Sequence, residues 1–131
     1  MTGKFVIDSY AWIEYLNGSE KGQILSKLVS NRDNELYTHI VTFSEVISVA
    51  KRKNSNVEIA ENAMLTLSII YNCELSFCKE VGLLHGEIKK QIKDFGLADA
   101  FVLQTARKLG AKVVTGDPHF KDFKKEVIFL K

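Results

Sequence analysis

The stretch LADAFVLQTARKLGAKVVTGDP, residues 97–118, contains the repeating unit of the fold in one segment. Residues 97–109 carry apolar side chains at helical spacing, and Gly110 suits the left-handed conformation that ends many helices. Residues 112–115, KVVT, then predict a short buried strand that runs into a Gly-Asp-Pro turn. A helix that leads into a buried strand is typical of a parallel α/β sheet.

The rest of the chain repeats this alternation of short apolar runs and amphipathic stretches. Strands are predicted at residues 5–7, 36–41, 73–77, 112–115 and 127–130. Helices are predicted at residues 9–16, 20–29, 42–53, 57–71, 80–93 and 97–109. Strands separated by helices imply crossover connections and a sheet covered on both faces. The sequence therefore predicts one three-layer α/β/α domain over residues 1–131, with a central, mainly parallel sheet.

The composition is that of an ordinary globular protein. The chain has 131 residues, of which 46% are hydrophobic and 26% are charged. The first residues contain no apolar stretch resembling a signal peptide, and no run approaches the ~18 apolar residues of a membrane helix. We therefore expect a cytoplasmic protein that does not enter a membrane. Two cysteines, Cys73 and Cys78, are too few for a disulfide framework or a zinc site, so reduced thiols in or near the core are expected.

The net charge of +2 is too small to indicate nucleic-acid binding by itself. The basic residues nevertheless form three clusters, at residues 51–53, 89–93 and 121–125, each near a segment that carries an acid considered below. Cations at helix ends are favoured by the helix dipole. Each cluster taken alone is therefore better explained as a solvated helix end than as a phosphate contact.

Four acids lie where predicted strands end or helices begin: Asp8, Glu45, Asp99 and Asp117. Each has a simple structural explanation. Asp8 could cap the helix that begins at residue 9, and Glu45 stands three residues after Thr42, which is the spacing of a capping box. Asp99 lies in the first turn of its helix, where negative charge is favourable. Asp117 lies in a turn that ends in proline, a common place for aspartate.

Taken together, the four acids favour a shared site, because a parallel sheet brings the carboxyl ends of its strands to one edge. Carboxylates that converge repel one another and raise their pKa values unless a cation lies among them. Magnesium and manganese prefer oxygen ligands and retain water, so this cluster predicts a site for one of these ions. A bound divalent ion would activate water and stabilise the oxygens of a phosphodiester. The spacing alone does not distinguish RNA from other phosphate esters.

Four segments of the sequence resemble, in chain order, the signature segments of PIN-domain proteins. They are FVIDS at residues 5–9, TFSEV at residues 42–46, LADAF at residues 97–101 and VVTGDPHF at residues 113–120. The last two segments are the most specific. The resemblance spans the entire chain, and the subgroup most similar in appearance is the VapC-like toxin ribonucleases of prokaryotic toxin–antitoxin pairs.

The resemblance implies a metal-dependent endoribonuclease with magnesium or manganese as its cofactor. Its metal-binding and catalytic acids would be Asp8, Glu45, Asp99 and Asp117. Two further residues, Ser9 and Thr115, match small hydroxyl positions beside the acids, where they would orient the acids or a water molecule. The implied partners are an RNA substrate, a small antitoxin protein and a second copy of the chain.

The homodimer implied by the resemblance needs an apolar contact face. The predicted helix at residues 57–71 carries Ile59, Met64, Leu67 and Ile70. These side chains suit a dimer contact, and they suit the core of the monomer equally well.

Other functions fit the sequence less well. A haloacid dehalogenase-like phosphatase also has an aspartate after its first strand, but it requires a second aspartate where this chain has Tyr10. A phospho-receiver domain has a paired acid near its first strand, and a P-loop nucleotide triphosphatase has a GxxxxGK loop; the chain has neither. The alternative from a different class is a non-catalytic PIN-like module that binds RNA or protein.

The three histidines, His39, His85 and His119, are too far apart in the sequence to suggest a zinc pair. His119 is the histidine nearest to the acids. The sequence favours a solvent-exposed place in its turn over a contact with substrate.

Overall fold

The computed structural model describes residues 3–131; residues 1 and 2, which the sequence prediction included in the domain, lie outside the described part. In chain order the elements are β1 (Lys4–Ile7), α1 (Ser9–Leu16), α2 (Gln23–Ser30), β2 (Glu35–His39), α3 (Ile40–Arg52), α4 (Val57–Leu67), β3 (Ile69–Tyr71), α5 (Leu75–Ile88), α6 (Leu97–Leu109), β4 (Lys112–Thr115), a 3-10 segment (Pro118–Glu126) and β5 (Val127–Phe129). Over residues 3–131, no helix has the length and apolar character needed to cross a membrane.

The five strands form one sheet in the order β3-β2-β1-β4-β5, and all four strand pairs are parallel. From β1 the chain adds β2 and β3 on one side, and it then crosses over to add β4 and β5 on the other. The strand order therefore reverses between β1 and β4. The predicted α/β class with a central parallel sheet is confirmed.

Helices cover both faces of the sheet because the side chains of β1 alternate between two cores. Phe5 and Ile7 pack with residues of α1 to α4, whereas Val6 packs with residues of α5, α6 and the 3-10 segment. Trp12 is fully buried in the first core, and its indole Nε1 donates to Thr38 Oγ1 at 3.0 Å. The three predicted layers are therefore present.

The helix and strand predicted within residues 97–118 form as expected. Helix α6 and strand β4 have the predicted bounds, and Gly110 ends the helix with a φ of +65°. A left-handed φ favours glycine, which has no Cβ to collide with the backbone. Six residues of α6 are buried, so the helix is held against the sheet along most of its length.

The predicted strand at residues 73–77 is wrong. The third strand is β3 (Ile69–Tyr71), and residues 75–77 form the first turn of α5, which begins five residues before the predicted helix start. Helix α4 ends at Leu67 because Ser68 is extended and its hydroxyl donates to the Met64 carbonyl at 2.7 Å. The next residues pair with β2, and their apolar side chains continue the helical spacing of α4, so periodicity does not reveal the boundary.

The start of α3 also differs from the prediction. The strand before it ends at His39 instead of residue 41, and the helix begins at Ile40 instead of Thr42. The cap is the His39 side chain, whose Nδ1 accepts a hydrogen bond of 3.0 Å from the Val41 amide. Thr42 is buried inside the first turn. Glu45 is therefore not the partner of Thr42 in a capping box.

Smaller differences concern other ends of elements. Helix α2 begins at Gln23, three residues after the predicted start, and β5 ends at Phe129. The two cysteines are free thiols, as expected, and both are partly buried. Their Sγ atoms lie 3.9 Å apart, with Cys73 in the connection after β3 and Cys78 in α5.

Candidate active site

The acids gather at the point where the strand order reverses. Strands β1 and β4 are neighbours in parallel register, with Ile7 opposite Val114. The next residue, Asp8, continues this pairing because its amide donates to the Val114 carbonyl at 3.0 Å. In open α/β sheets such a reversal leaves a crevice at the carboxyl ends of the strands, where ligands bind.

Asp8 is the most deeply buried of the acids, with 4% of its surface exposed. Its Oδ1 accepts from the Ser9 amide at 2.8 Å, and its Oδ2 accepts from the Thr115 hydroxyl at 2.7 Å. Burial raises the pKa of the Asp8 carboxyl to about 7, and the charges of Asp99 and Glu45 add to that rise, although the two hydrogen bonds lower it. Asp8 thus caps α1, as its structural explanation predicted, and it also faces other acids.

Glu45 reaches the same edge from α3, which begins at the carboxyl end of β2. Its side chain is partly exposed. Burial raises the pKa of its carboxyl, and the charges of Asp99 and Asp117 raise it further, whereas a hydrogen bond from the Ser9 side chain lowers it. Ser9 therefore serves two acids, through its amide to Asp8 and through its side chain to Glu45.

Asp99 reaches the same edge from the first turn of α6. Helix α6 leads into β4, so its amino terminus lies at the carboxyl edge of the sheet. Asp99 is 9% exposed, and its Oδ2 accepts from the Gly96 amide at 2.8 Å. The carboxylate thereby satisfies a free amide at the helix start, as its structural explanation predicted.

Asp117 follows β4 by two residues and caps the 3-10 segment, with Oδ1 accepting from the His119 amide at 2.9 Å. Its own amide donates to Thr115 Oγ1 at 3.0 Å. Thr115 is buried, so its hydroxyl is a fixed link between Asp8 and Asp117. The two hydroxyl residues predicted beside the acids, Ser9 and Thr115, both contact them.

Gly116 is required between Thr115 and Asp117 because the ring of Tyr10 lies against it. A Cβ on Gly116 would come within 2.3 Å of Tyr10 Cε1 and 2.8 Å of Cδ1. Tyr10 thus supports the turn that carries Asp117. The partly buried ring of Tyr10 also packs against the first core.

His119 corrects the sequence-based expectation of a solvent-exposed turn residue. Its Nδ1 lies 3.0 Å from Asp99 Oδ2 and 3.4 Å from Asp117 Oδ1, with 37% of the side chain exposed. The only signal in the sequence is that His119 stands two residues after an acid in a turn. Among residues 3–131, Asp99, Asp117 and His119 are the one group of three or more possible metal ligands whose ligand atoms all lie within 4.8 Å.

The structure therefore brings all four predicted acids to one edge of the sheet. Asp8 is coupled electrostatically to Glu45 and Asp99, and Glu45 is coupled to Asp99 and Asp117. A cluster of this kind carries strong negative potential and is favourable for a divalent cation with oxygen ligands. Of the other histidines, His39 is buried among aromatic rings, which lowers its pKa to about 4, and His85 Nε2 contacts the Phe95 carbonyl at 3.1 Å.

The sequence matches the family model for the PIN domain over residues 5–126. That range contains every acid of the site. No curated protein sequence matches the chain.

Solved structures with a similar fold come from several bacteria. A toxin–antitoxin complex from Klebsiella pneumoniae is 20% identical, with 96% of this chain and 97% of that chain covered and a TM-score of 0.72. VapC20 of Mycobacterium tuberculosis, described as a toxin that cleaves the sarcin–ricin loop, is 14% identical, with 91% and 94% covered and a TM-score of 0.74. VapBC2 of Rickettsia felis, bound to a DNA fragment from its promoter, is 16% identical, with 98% and 99% covered and a TM-score of 0.74.

Proposed function

The chain belongs to the PIN-domain family, and on that premise we propose that it is a metal-dependent endoribonuclease that hydrolyses RNA phosphodiester bonds. The observation that carries the proposal is the meeting of Asp8, Glu45, Asp99 and Asp117 at the edge where the strand order reverses. Such a cluster is unfavourable without a cation, because each carboxylate raises the pKa of its neighbours.

The residues at this edge fit magnesium or manganese. These ions take oxygen ligands. Backbone amides fix the carboxylates of Asp8, Asp99 and Asp117 by hydrogen bonds, and Glu45 and Asp117 are partly exposed to solvent. When bound, such an ion would lower the pKa of a water molecule that it holds. Its positive charge would stabilise the oxygens of the phosphodiester. Asp8, Glu45, Asp99 and Asp117 would hold it.

The surrounding residues position the acids for this task. The Thr115 hydroxyl orients Asp8, and the Ser9 side chain hydrogen-bonds to Glu45. The Gly96 amide fixes Asp99 at the amino terminus of α6. Helix amino termini carry partial positive charge, so the start of α6 favours the approach of a phosphate to an otherwise acidic edge.

Cleavage of a mixed-sequence single-stranded RNA tests the proposal. The purified chain is assayed with magnesium, with manganese and with chelator, beside the Asp8→Asn and Asp99→Asn variants. We expect cutting that requires metal and falls at least about 100-fold in both variants, because removal of a metal-binding or catalytic group costs several kcal/mol in the barrier. Asp33→Asn is the matched control, since Asp33 is exposed in the turn before β2, at the opposite edge of the sheet.

Two results would contradict a ribonuclease. One is the absence of metal-dependent cutting on every RNA tried, and the other is equal cutting by the wild type and by both folded variants. Either result favours the non-catalytic alternative, in which the same surface binds RNA or a protein. Gel-shift binding of the uncut RNA would then separate an RNA-binding module from a protein-binding one.

We also propose that the chain is the toxin of a toxin–antitoxin pair. The support comes from the family match and from the similar structures, two of which are described as a toxin–antitoxin complex and as a toxin. A groove between α1, α3 and α4, lined by Ile13, Leu16, Val46 and Ile59, offers an apolar surface that an antitoxin segment could cover.

Growth of a bacterial host tests the toxin role. Induced expression of the wild type should arrest growth, and Asp99→Asn should relieve the arrest at equal protein level. If a small protein encoded beside this chain is its antitoxin, co-expression should restore growth, and the two proteins should purify together. Unimpaired growth at high expression of an RNA-cleaving wild type would argue against a toxin.

A homodimer remains a proposal, with a changed view of its contact face. Met64 is fully buried and belongs to the core, so it cannot form a dimer contact. Other apolar side chains are exposed, namely Ile59 at 60%, Leu75 at 86% and Leu83 at 67%. Light scattering at micromolar concentration should give about twice the chain mass of 14.8 kDa. A species of single-chain mass alone would count against the dimer.

A further inference from the structure

Within the described residues 3–131, His119 is the one histidine with a ring nitrogen in contact with the acids at the carboxyl edge. Its Nδ1 faces two carboxylates, at 3.0 Å from Asp99 Oδ2 and 3.4 Å from Asp117 Oδ1. The backbone holds the residue in that place, because Pro118 begins the 3-10 segment and the His119 amide donates to Asp117 Oδ1. The ring is therefore anchored beside the acids.

The distances suit a shared cation. Two ligand atoms at adjacent corners of an octahedron, each about 2.1 Å from the ion, lie about 3.0 Å apart. The separation of Nδ1 from Asp99 Oδ2 matches that value, and the separation from Asp117 Oδ1 exceeds it by a few tenths of an ångström. The ligand atoms of the three side chains all lie within 4.8 Å of one another, so small shifts of the side chains would let them hold one ion.

We propose that His119 binds the metal directly, together with Asp99 and Asp117, and that it makes the site prefer Mn²⁺ to Mg²⁺. The inference rests on the proposed function in assuming a divalent ion among the acids. Mg²⁺ is a hard ion that favours oxygen ligands and water, whereas Mn²⁺ accepts an imidazole nitrogen more readily. Replacing one oxygen ligand by Nδ1 therefore lowers the affinity of the site for Mg²⁺ relative to its affinity for Mn²⁺.

Electron spin-echo spectroscopy of the Mn²⁺-loaded full chain, made without a polyhistidine tag, tests the ligand directly. A coordinated imidazole gives ¹⁴N modulation of the Mn²⁺ echo, which we expect in the wild type and not in His119→Gln. His85→Gln is the matched control and should retain the modulation, because His85 contacts the Phe95 carbonyl and not the acids. The unfolding midpoint of each variant is measured to verify that it folds.

Calorimetric titration of the metal-free protein tests the preference. The ratio of the Mn²⁺ and Mg²⁺ affinities should fall about tenfold in His119→Gln, with the loss mainly in Mn²⁺ affinity. His119→Asp, which offers oxygen in place of nitrogen, should retain metal binding, lack the ¹⁴N modulation and shift the preference towards Mg²⁺.

The inference is overturned if the wild type binds Mn²⁺ without ¹⁴N modulation, if it binds no Mn²⁺, or if the affinity ratio is the same in His119→Gln. These outcomes are separate from those for the ribonuclease. Metal-dependent RNA cleavage without ¹⁴N modulation would leave the proposed function standing and remove the role of His119. A ¹⁴N signal without RNA cleavage would support His119 as a metal ligand and count against the proposed ribonuclease function.

Discussion

The Thr115 hydroxyl donates a 2.7 Å hydrogen bond to Asp8 Oδ2, although the two residues are 107 positions apart in the chain. The hydroxyl oxygen of Thr115 also accepts a hydrogen bond of 3.0 Å from the Asp117 amide. One buried side chain thus links two of the four acids across β1 and β4, the strands between which the sheet order reverses. The orientation of both acids depends on that hydroxyl.

Replacing Thr115 by valine retains the shape of the side chain and removes its hydroxyl. We expect the affinity for Mn²⁺ and the rate of RNA cleavage to fall about 10- to 100-fold, as is usual when a group that orients a metal ligand is lost. The free energy of unfolding should fall by about 1–3 kcal/mol, because Asp8 and the Asp117 amide both lose a buried partner. Calorimetry and urea unfolding measure the two effects.

Thr115→Ser is the control for that substitution, because it retains a hydroxyl at the same position. It should restore most of the metal affinity. If Thr115→Val binds Mn²⁺ as tightly as the wild type does, the hydroxyl does not position the acids.

The raised pKa of Asp8 makes the stability of the metal-free protein depend on pH. Burial raises this pKa from about 3.9 in an unfolded chain to about 7, so the folded state binds the proton more tightly. Stability from this group is present below pH 4 and is lost as the pH rises towards 7. Asp8→Asn has no such loss, and in chelator at pH 8 it should be more stable than the wild type by about 1–3 kcal/mol.

The gap in the free energy of unfolding between the wild type and Asp8→Asn isolates the contribution of Asp8. His39 has the opposite effect, since burial lowers its pKa to about 4 and its contribution is lost as the pH falls from about 6.5. That contribution is common to the wild type and the variant. Urea unfolding at pH 5 and pH 8 should show a smaller gap at pH 5, and excess Mn²⁺ at pH 8 should reverse the gap. A gap that does not change with pH would contradict the raised pKa of Asp8.

Much of the fold could be predicted because its strongest elements are encoded locally. The apolar runs at residues 5–7 and 113–114 lie at the centre of the sheet, where both faces are buried, so the pattern alone identifies them. Asp8 and Asp117 could be located for the same reason, since each follows one of these runs closely.

Two of the wrongly predicted features depend on contacts that are distant in sequence, and a third depends on an unusual local cap. Strand β3 has three residues at the edge of the sheet and is defined by its pairing with β2, not by a pattern of its own. The cap of α3 is a histidine, a residue that is uncommon in this position. The contact between His119 and Asp99 joins residues 20 positions apart and requires the turn geometry after β4. None of these features leaves a periodic signal in the sequence.

Substituting Gly116 by alanine tests the support that Tyr10 gives to the site. The new Cβ would lie 2.3 Å from Tyr10 Cε1, so the ring or the turn must shift. We expect a loss of about 1–3 kcal/mol in the free energy of unfolding and a lower rate of RNA cleavage, because the turn carries Asp117. The matched control is Gly86→Ala in α5, where a new Cβ would meet no atom within 4 Å apart from its chain neighbours and the adjacent backbone of its own helix. That helical substitution should leave cleavage unchanged and stabilise the fold by up to about 1 kcal/mol.

Tyr10→Leu provides a second check on the same contact. In the double variant Gly116→Ala, Tyr10→Leu, the smaller side chain leaves room for the Cβ, so the stability losses should not add. Strict additivity of the two losses would show that the collision with Tyr10 is not the cause.

If this acidic edge binds RNA as proposed, cations beside it must offset the repulsion between the acids and the phosphates. Lys121 lies in the 3-10 segment four residues after Asp117, which caps that segment, and it is exposed. On the proposed ribonuclease function, we expect this lysine to contact a phosphate of the RNA backbone beyond the bond that is cut. We expect Lys121→Gln to weaken RNA binding for all sequences to a similar extent and to reduce the slope of log affinity against log salt by about 0.7. Lys27→Gln is the control, because Lys27 is exposed on α2, which leads to the opposite edge of the sheet at the start of β2. Fluorescence anisotropy with a labelled RNA in Ca²⁺, measured at several salt concentrations, compares the two variants, and equal slopes would exclude a phosphate contact at Lys121.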